Sequence, residues 1–124
     1  MEQPLVQTQY GWVSGRAHED VHSFLGIPYA KPPVGPLRFL PPEPPAPWQG
    51  TRRADAYGDG PIQYAETGFT TIPAYAQDRT LEPPQHFSED CLTLNIWRPA
   101  HSNRPLPVLF WIYGGAYAMG NAAM

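Results

Sequence analysis

Three residues with almost no side chain, Gly114-Gly115-Ala116, follow directly on an unbroken apolar run from Val108 to Tyr113. Glycine reaches φ > 0 at no steric cost and lets backbone N–H groups come close to another molecule. Bare amides at the end of a buried strand suit a developing negative charge, which is the requirement of an oxyanion hole. An ordinary strand-to-loop turn uses the same Gly-Gly pair, so the element gains meaning only from the rest of the chain. Other candidate chemistry is sparse. His18 and His22 stand among charged or alternating positions and read as surface residues, and His86 has no partner in the pattern. None of Ser14, Ser23, Ser88 or Ser102 lies in a Gly-x-Ser-x-Gly context, so none is assigned as a nucleophile. Cys91 is the single cysteine, which leaves no intrachain disulfide and no cysteine-based metal site. No metal and no cofactor is expected.

The elements that must position Gly114-Gly115-Ala116 follow from apolar periodicity. Val108 to Tyr113 is too short for a helix and rich in β-branched and aromatic residues. It reads as a strand buried on both faces within a helix-covered sheet. In Glu89 to Pro99, Cys91, Thr93 and Asn95 alternate with Leu92, Leu94 and Ile96, a period-2 strand ended by Pro99. Leu5 to Tyr29 reads as a small antiparallel meander, with a turn or bulge at Gly11, a polar connection at Arg16–Asp20 and a strand at Val21–Pro28.

Two segments are irregular. Lys31 to Trp48 is dense in proline, and Arg38-Phe39-Leu40-Pro41-Pro42-Glu43-Pro44 has the spacing of a polyproline II ligand for an SH3-type groove. The plainer reading is a rigid connection pinned to the surface by Phe39 and Trp48, and the flanking aromatics favour it. Arg52 to Phe87 sustains no period and suits a flap over a pocket, with Tyr57, Tyr64, Phe69 and Tyr75 available to line it.

Composition narrows the function. The 124 residues suffice for one small domain, and a net charge of −3 from 8 basic and 11 acidic residues gives no electrostatic case for nucleic acid or an anionic membrane surface. Seventeen prolines disfavour helices and impose extended connections. Met1-Glu2-Gln3-Pro4 lacks the charged and apolar regions of a secretory signal, and no apolar run approaches the roughly 20 residues that span a bilayer. The chain is therefore expected to be soluble and cytoplasmic.

Taken in order, Gly26-Ile27-Pro28-Tyr29-Ala30, Pro32-Pro33-Val34-Gly35 with Leu37-Arg38-Phe39, Glu89-Asp90-Cys91-Leu92-Thr93-Leu94-Asn95-Ile96-Trp97-Arg98-Pro99 and Trp111-Ile112-Tyr113-Gly114-Gly115-Ala116 form a specific series. The chain resembles the N-terminal part of type B carboxylesterases, the family of cholinesterases and bacterial esterases on the α/β-hydrolase fold. The resemblance implies an α/β fold in which small antiparallel N-terminal strands lead into a central sheet that is incomplete here. It implies carboxylic ester hydrolysis by serine acyl transfer on a small-molecule ester. Gly114, Gly115 and Ala116 match the oxyanion element, with Gly115 and Ala116 as N–H donors and Gly114 shaping the turn.

Arg38 and Glu89 match a structural ion pair, which would fix the proline segment against the strand if buried. Cys91 matches one half of a disulfide of secreted members, and Pro61 stands at its partner's position. Nucleophile, acid and base lie further along in the family, so residues 1–124 are expected to be an N-terminal fragment. No tryptophan stands between Gln49 and Cys91, where cholinesterases hold a quaternary ammonium, which argues against a choline ester. The rival readings are a non-catalytic cholinesterase-like adhesion protein and an inactive truncated product.

Overall fold

The computed structural model describes residues 3–63, 86–118 and 120–123. Among them the strands are β1 (Leu5–Thr8), β2 (Gly11–Ser14), β3 (Arg16–His18), β4 (Val21–Pro28), β5 (Thr51–Arg53), β6 (Gly60–Pro61), β7 (Phe87–Ser88) and β8 (Thr93–Pro99), with a 3-10 turn at Gly35–Leu37. β1 and β2 pair antiparallel, Leu5 opposite Ser14 and Thr8 opposite Gly11. The Thr8 hydroxyl closes their turn, donating to the Gly11 carbonyl at 2.8 Å and accepting from the Tyr10 N–H at 3.1 Å.

The expected meander does not continue as one sheet. The Gly15 N–H turns back to the Pro4 carbonyl at 2.9 Å, and the chain leaves for a second sheet. Arg16–His18, expected as a polar connection, is itself a strand, because the β4 edge offers its backbone groups partners. The sheets run β1-β2-β5, with β5 parallel to β2, and β3-β4-β8, with β8 antiparallel to β4, while β6 and β7 form a parallel pair. Val13 of β2, Phe24 of β4 and Ala54 just after β5 are buried together, with Val6, Ile27 and Trp48 packed around them. This small apolar cluster joins the two larger sheets.

The β4–β8 ladder carries an irregularity that matters for the site. Phe24 stands opposite Ile96 but Ile27 opposite Leu94, so β4 holds one residue more than β8 across the gap. Such a bulge kinks its strand and leaves a residue unpaired in the ladder. Gly26 takes φ +67°, and a Cβ there would lie 2.6 Å from the Ala56 carbonyl oxygen, so only glycine fits. The bulged backbone is used elsewhere: the Leu25 N–H donates to the Ala54 carbonyl at 2.9 Å, and the Gly26 N–H donates to Asn95 Oδ1 at 2.9 Å.

The proline segment is a fastened connection. The Trp48 indole N–H donates to the Trp12 carbonyl at 2.8 Å and its backbone N–H donates to the Tyr10 carbonyl at 2.9 Å. Lys31 and Glu43 are joined by a backbone hydrogen bond of 2.9 Å and by their side chains at 2.6 Å. Phe39, expected to pin the segment, is 95% exposed and pins nothing. Its backbone, at φ +59°, turns the ring outward beneath the Arg38 guanidinium, 5.3 Å from the ring centre.

Val108–Tyr113 differs most from its expectation. The run is not a paired strand, and Val108 to Ile112 are each at least 75% exposed. Apolar periodicity reports a demand for cover, and among the described residues neither a strand beside the run nor a helix above it meets that demand. A polypeptide of residues 1–124 is therefore expected to self-associate through this run. Sedimentation velocity should show oligomers at micromolar concentration and a shift toward monomer in Leu109→Lys/Trp111→Lys; a wild-type monomer throughout would contradict it.

Candidate active site

Gly114 to Gly120 form a loop at the end of the apolar run. Gly115 takes φ +130°, and Ala116 and Tyr117 take φ +54° and +62°. Two successive non-glycine residues in the left-handed region cost roughly 1–2 kcal/mol each, so the loop must be held from outside. The one internal bond among the described residues runs from the Ala118 N–H to the Gly115 carbonyl at 3.0 Å. Among the described residues, the amides of Gly114, Gly115 and Ala116 meet no acceptor. The loop lines a cleft of about 640 Å³ whose walls are Pro61–Gln63, Ile112–Ala118 and Gly120.

Two carboxamides hold the far end of this loop. Gln63 Nε2 donates to the Gly120 carbonyl at 2.9 Å while Gln63 Oε1 accepts the Gly120 N–H at 2.9 Å. Asn95 accepts from Gly26 in the β4 bulge and donates through Nδ2 to the Ala122 carbonyl at 2.7 Å. Gly120 itself packs under the loop start: a Cβ there would stand 2.8 Å from both the Gly114 carbonyl oxygen and the Tyr113 ring. Neither clamp was singled out in the sequence. Asn95 carried the one available signal, a carboxamide inside an alternating strand, since such a group needs partners when enclosed.

This arrangement has counterparts of known kind. The profile of the carboxylesterase family matches residues 2–124. The chain belongs to the carboxylesterase family. It is 41% identical to para-nitrobenzyl esterase of Bacillus subtilis over 97% of its own length and 23% of that protein's. It is 40% identical to a mouse pyrethroid hydrolase, over 98% of this chain and 23% of that one. A solved PNB esterase structure superposes with a TM-score of 0.78 at 42% identity, covering 94% of this chain and 22% of that one. The chain thus carries part of an α/β-hydrolase fold and spans less than a quarter of the length of these relatives.

The other candidate residues of this carboxylesterase chain lie away from the cleft walls. Arg38 Nε sits 2.5 Å from Glu89 Oε1, with side chains 53% and 38% exposed. The pair is not buried, and at that exposure an ion pair adds about 0–1 kcal/mol. His18 on β3 is exposed and His22 on β4 half-buried, and neither lines the cleft. Tyr57 does not line it either, while Tyr64, Phe69 and Tyr75 lie outside the described residues. Among the described residues no three His, Cys, Asp or Glu side chains gather as metal ligands, and no helix is long and apolar enough to cross a membrane.

Cys91 is a half-buried free thiol just before β8. Burial pushes its pKa up, and the negative charge of Asp90 pushes it further in the same direction. The thiolate is the reactive form, so its fraction near neutral pH falls below that of an ordinary cysteine. Iodoacetamide should alkylate native Cys91 more slowly than a free cysteine peptide at pH 7, with the rate still rising above the pH where the peptide levels off. Labelling as fast as the peptide at pH 7 would contradict this environment.

Proposed function

We propose that residues 1–124 form the N-terminal part of a carboxylesterase domain that cleaves small-molecule carboxylic esters by serine acyl transfer, in the cytoplasm. In this reading Gly115 and Ala116 supply the oxyanion-binding amides. The observation that carries it is the pair of amides lining a cleft without acceptors among the described residues, at the Gly-Gly-Ala motif that the family resemblance assigns to this role. The ester hydrolases among its relatives and the absence of an electrostatic case for nucleic acid support the same class of substrate. The lack of tryptophan from Gln49 to Cys91 favours esters without a quaternary ammonium.

The chemistry divides between this chain and the rest of the protein. A serine supplied from outside residues 1–124 attacks the ester carbonyl carbon as a base takes its proton, and the C=O electron pair moves onto oxygen. The Gly115 and Ala116 N–H groups donate to that oxygen, and do so more strongly as its charge grows. Collapse re-forms the carbonyl, expels the alcohol with the base's proton and leaves an acyl-serine, which water then cleaves by the same steps.

The test removes one donor without changing a side chain. In the full-length protein, Ala116 replaced by lactic acid exchanges the backbone N–H for an oxygen. The kcat on a short-chain p-nitrophenyl ester should fall by about 10²–10³, with KM changed little. Ala116→Gly, which keeps the N–H and accepts φ +54° without strain, should retain most of the rate. An unchanged kcat in the lactate variant would refute the assignment.

A further inference from the structure

We propose that Gln63 is a positioning residue for the oxyanion loop, acting through Gly120 to aim the Gly115 and Ala116 amides; this rests on the ester-hydrolase reading above. The geometry is reciprocal. The carboxamide donates to the Gly120 carbonyl and accepts its N–H, both at 2.9 Å, and its second donor contact is the Pro61 carbonyl at 3.2 Å. Three bonds therefore fix the side chain, and through it Gly120 joins the β6 side of the cleft.

Gly120 transmits that hold to the reactive end of the loop. It has φ +108°, and its α-carbon packs so tightly on the Gly114 carbonyl and the Tyr113 ring that no side chain would fit. A shift of Gly120 would therefore move Gly114, the residue that sets the direction of the next two amides. The strained φ values of Ala116 and Tyr117 leave the loop little reason to keep its shape once released. The three hydrogen bonds of the Gln63 carboxamide all go to backbone groups of Pro61 and Gly120. Its effect on rate is indirect, through the aim of donors whose value depends on geometry.

Full-length protein with Gln63→Leu and Gln63→Glu tests the role, using a short-chain p-nitrophenyl ester and a trifluoromethyl ketone that forms a tetrahedral adduct. Gln63→Leu loses all three bonds. It should lower kcat on the order of 10-fold and raise the ketone's inhibition constant by a similar factor, with KM within about twofold. Gln63→Glu keeps the acceptor for the Gly120 N–H but, when ionised, offers no donor to the Gly120 carbonyl. Protonation restores that donor. The ratio of variant to wild-type kcat should therefore rise as pH falls through the new carboxyl's pKa.

A merely structural role would lower the melting temperature and leave this ratio flat. A flat ratio, or unchanged kcat in both variants of an active enzyme, overturns the positioning role alone. A full-length wild type without ester turnover overturns the hydrolase reading and this proposal with it.

Discussion

Backbone amides reserved for a ligand cannot also fasten the loop that carries them. Regular structure satisfies N–H groups with carbonyls of the same chain, and an amide so used is lost to a substrate. In the proposed reading this constraint falls on the segment from Gly114 to Gly120, whose described residues have one internal hydrogen bond, several positive φ values, and amides at Gly114, Gly115 and Ala116 that meet no acceptor among the described residues. Its shape has to come from elsewhere. Side chains can supply it, because a carboxamide pairs with a peptide group as another peptide would, donating and accepting at once.

Asn95 ties that problem to the strands. The bulge in β4 leaves the Gly26 N–H without a ladder partner, and the same side chain that accepts it reaches the carbonyl of Ala122, just past the loop. An irregularity in one strand pair thus holds a second segment in place. The neighbouring Leu25 amide is taken by Ala54, whose side chain belongs to the apolar cluster with Val13 and Phe24. The chain of dependence runs from that cluster to the bulge, from the bulge through Asn95 to Ala122, and separately from the β6 side through Gln63 to Gly120.

Local pattern was legible where a residue's neighbours in sequence are its neighbours in space. The period-2 pattern read over Glu89–Pro99 yields a strand at Thr93–Pro99, and the meander read over Leu5–Tyr29 yields strands at Leu5–Thr8, Gly11–Ser14 and Val21–Pro28, because facing alternation is a property of the extended chain itself. The Gly-Gly-Ala motif stood out for the same local reason. What the pattern could not show was pairing at a distance: β5 beside β2, Gln63 with Gly120 across 57 residues, and Asn95 with Ala122 across 27. Nothing in a lone glutamine announces a partner that far away. Phe39 and the Val108–Tyr113 run failed in another way, since hydrophobicity states what a side chain would gain from cover and not whether cover is present.

The claim at the centre is that the Gly115 and Ala116 amides face the carbonyl oxygen of a reacting ester. A crystal structure of the full-length protein inactivated by a p-nitrophenyl phosphonate tests it most directly, because the tetrahedral phosphorus stands in for the attacked carbon. One phosphonyl oxygen should lie about 2.7–3.1 Å from both nitrogens, with Gln63 still bonded to Gly120. An adduct whose oxygen points away from this loop, or whose donors come from another segment, would contradict the account.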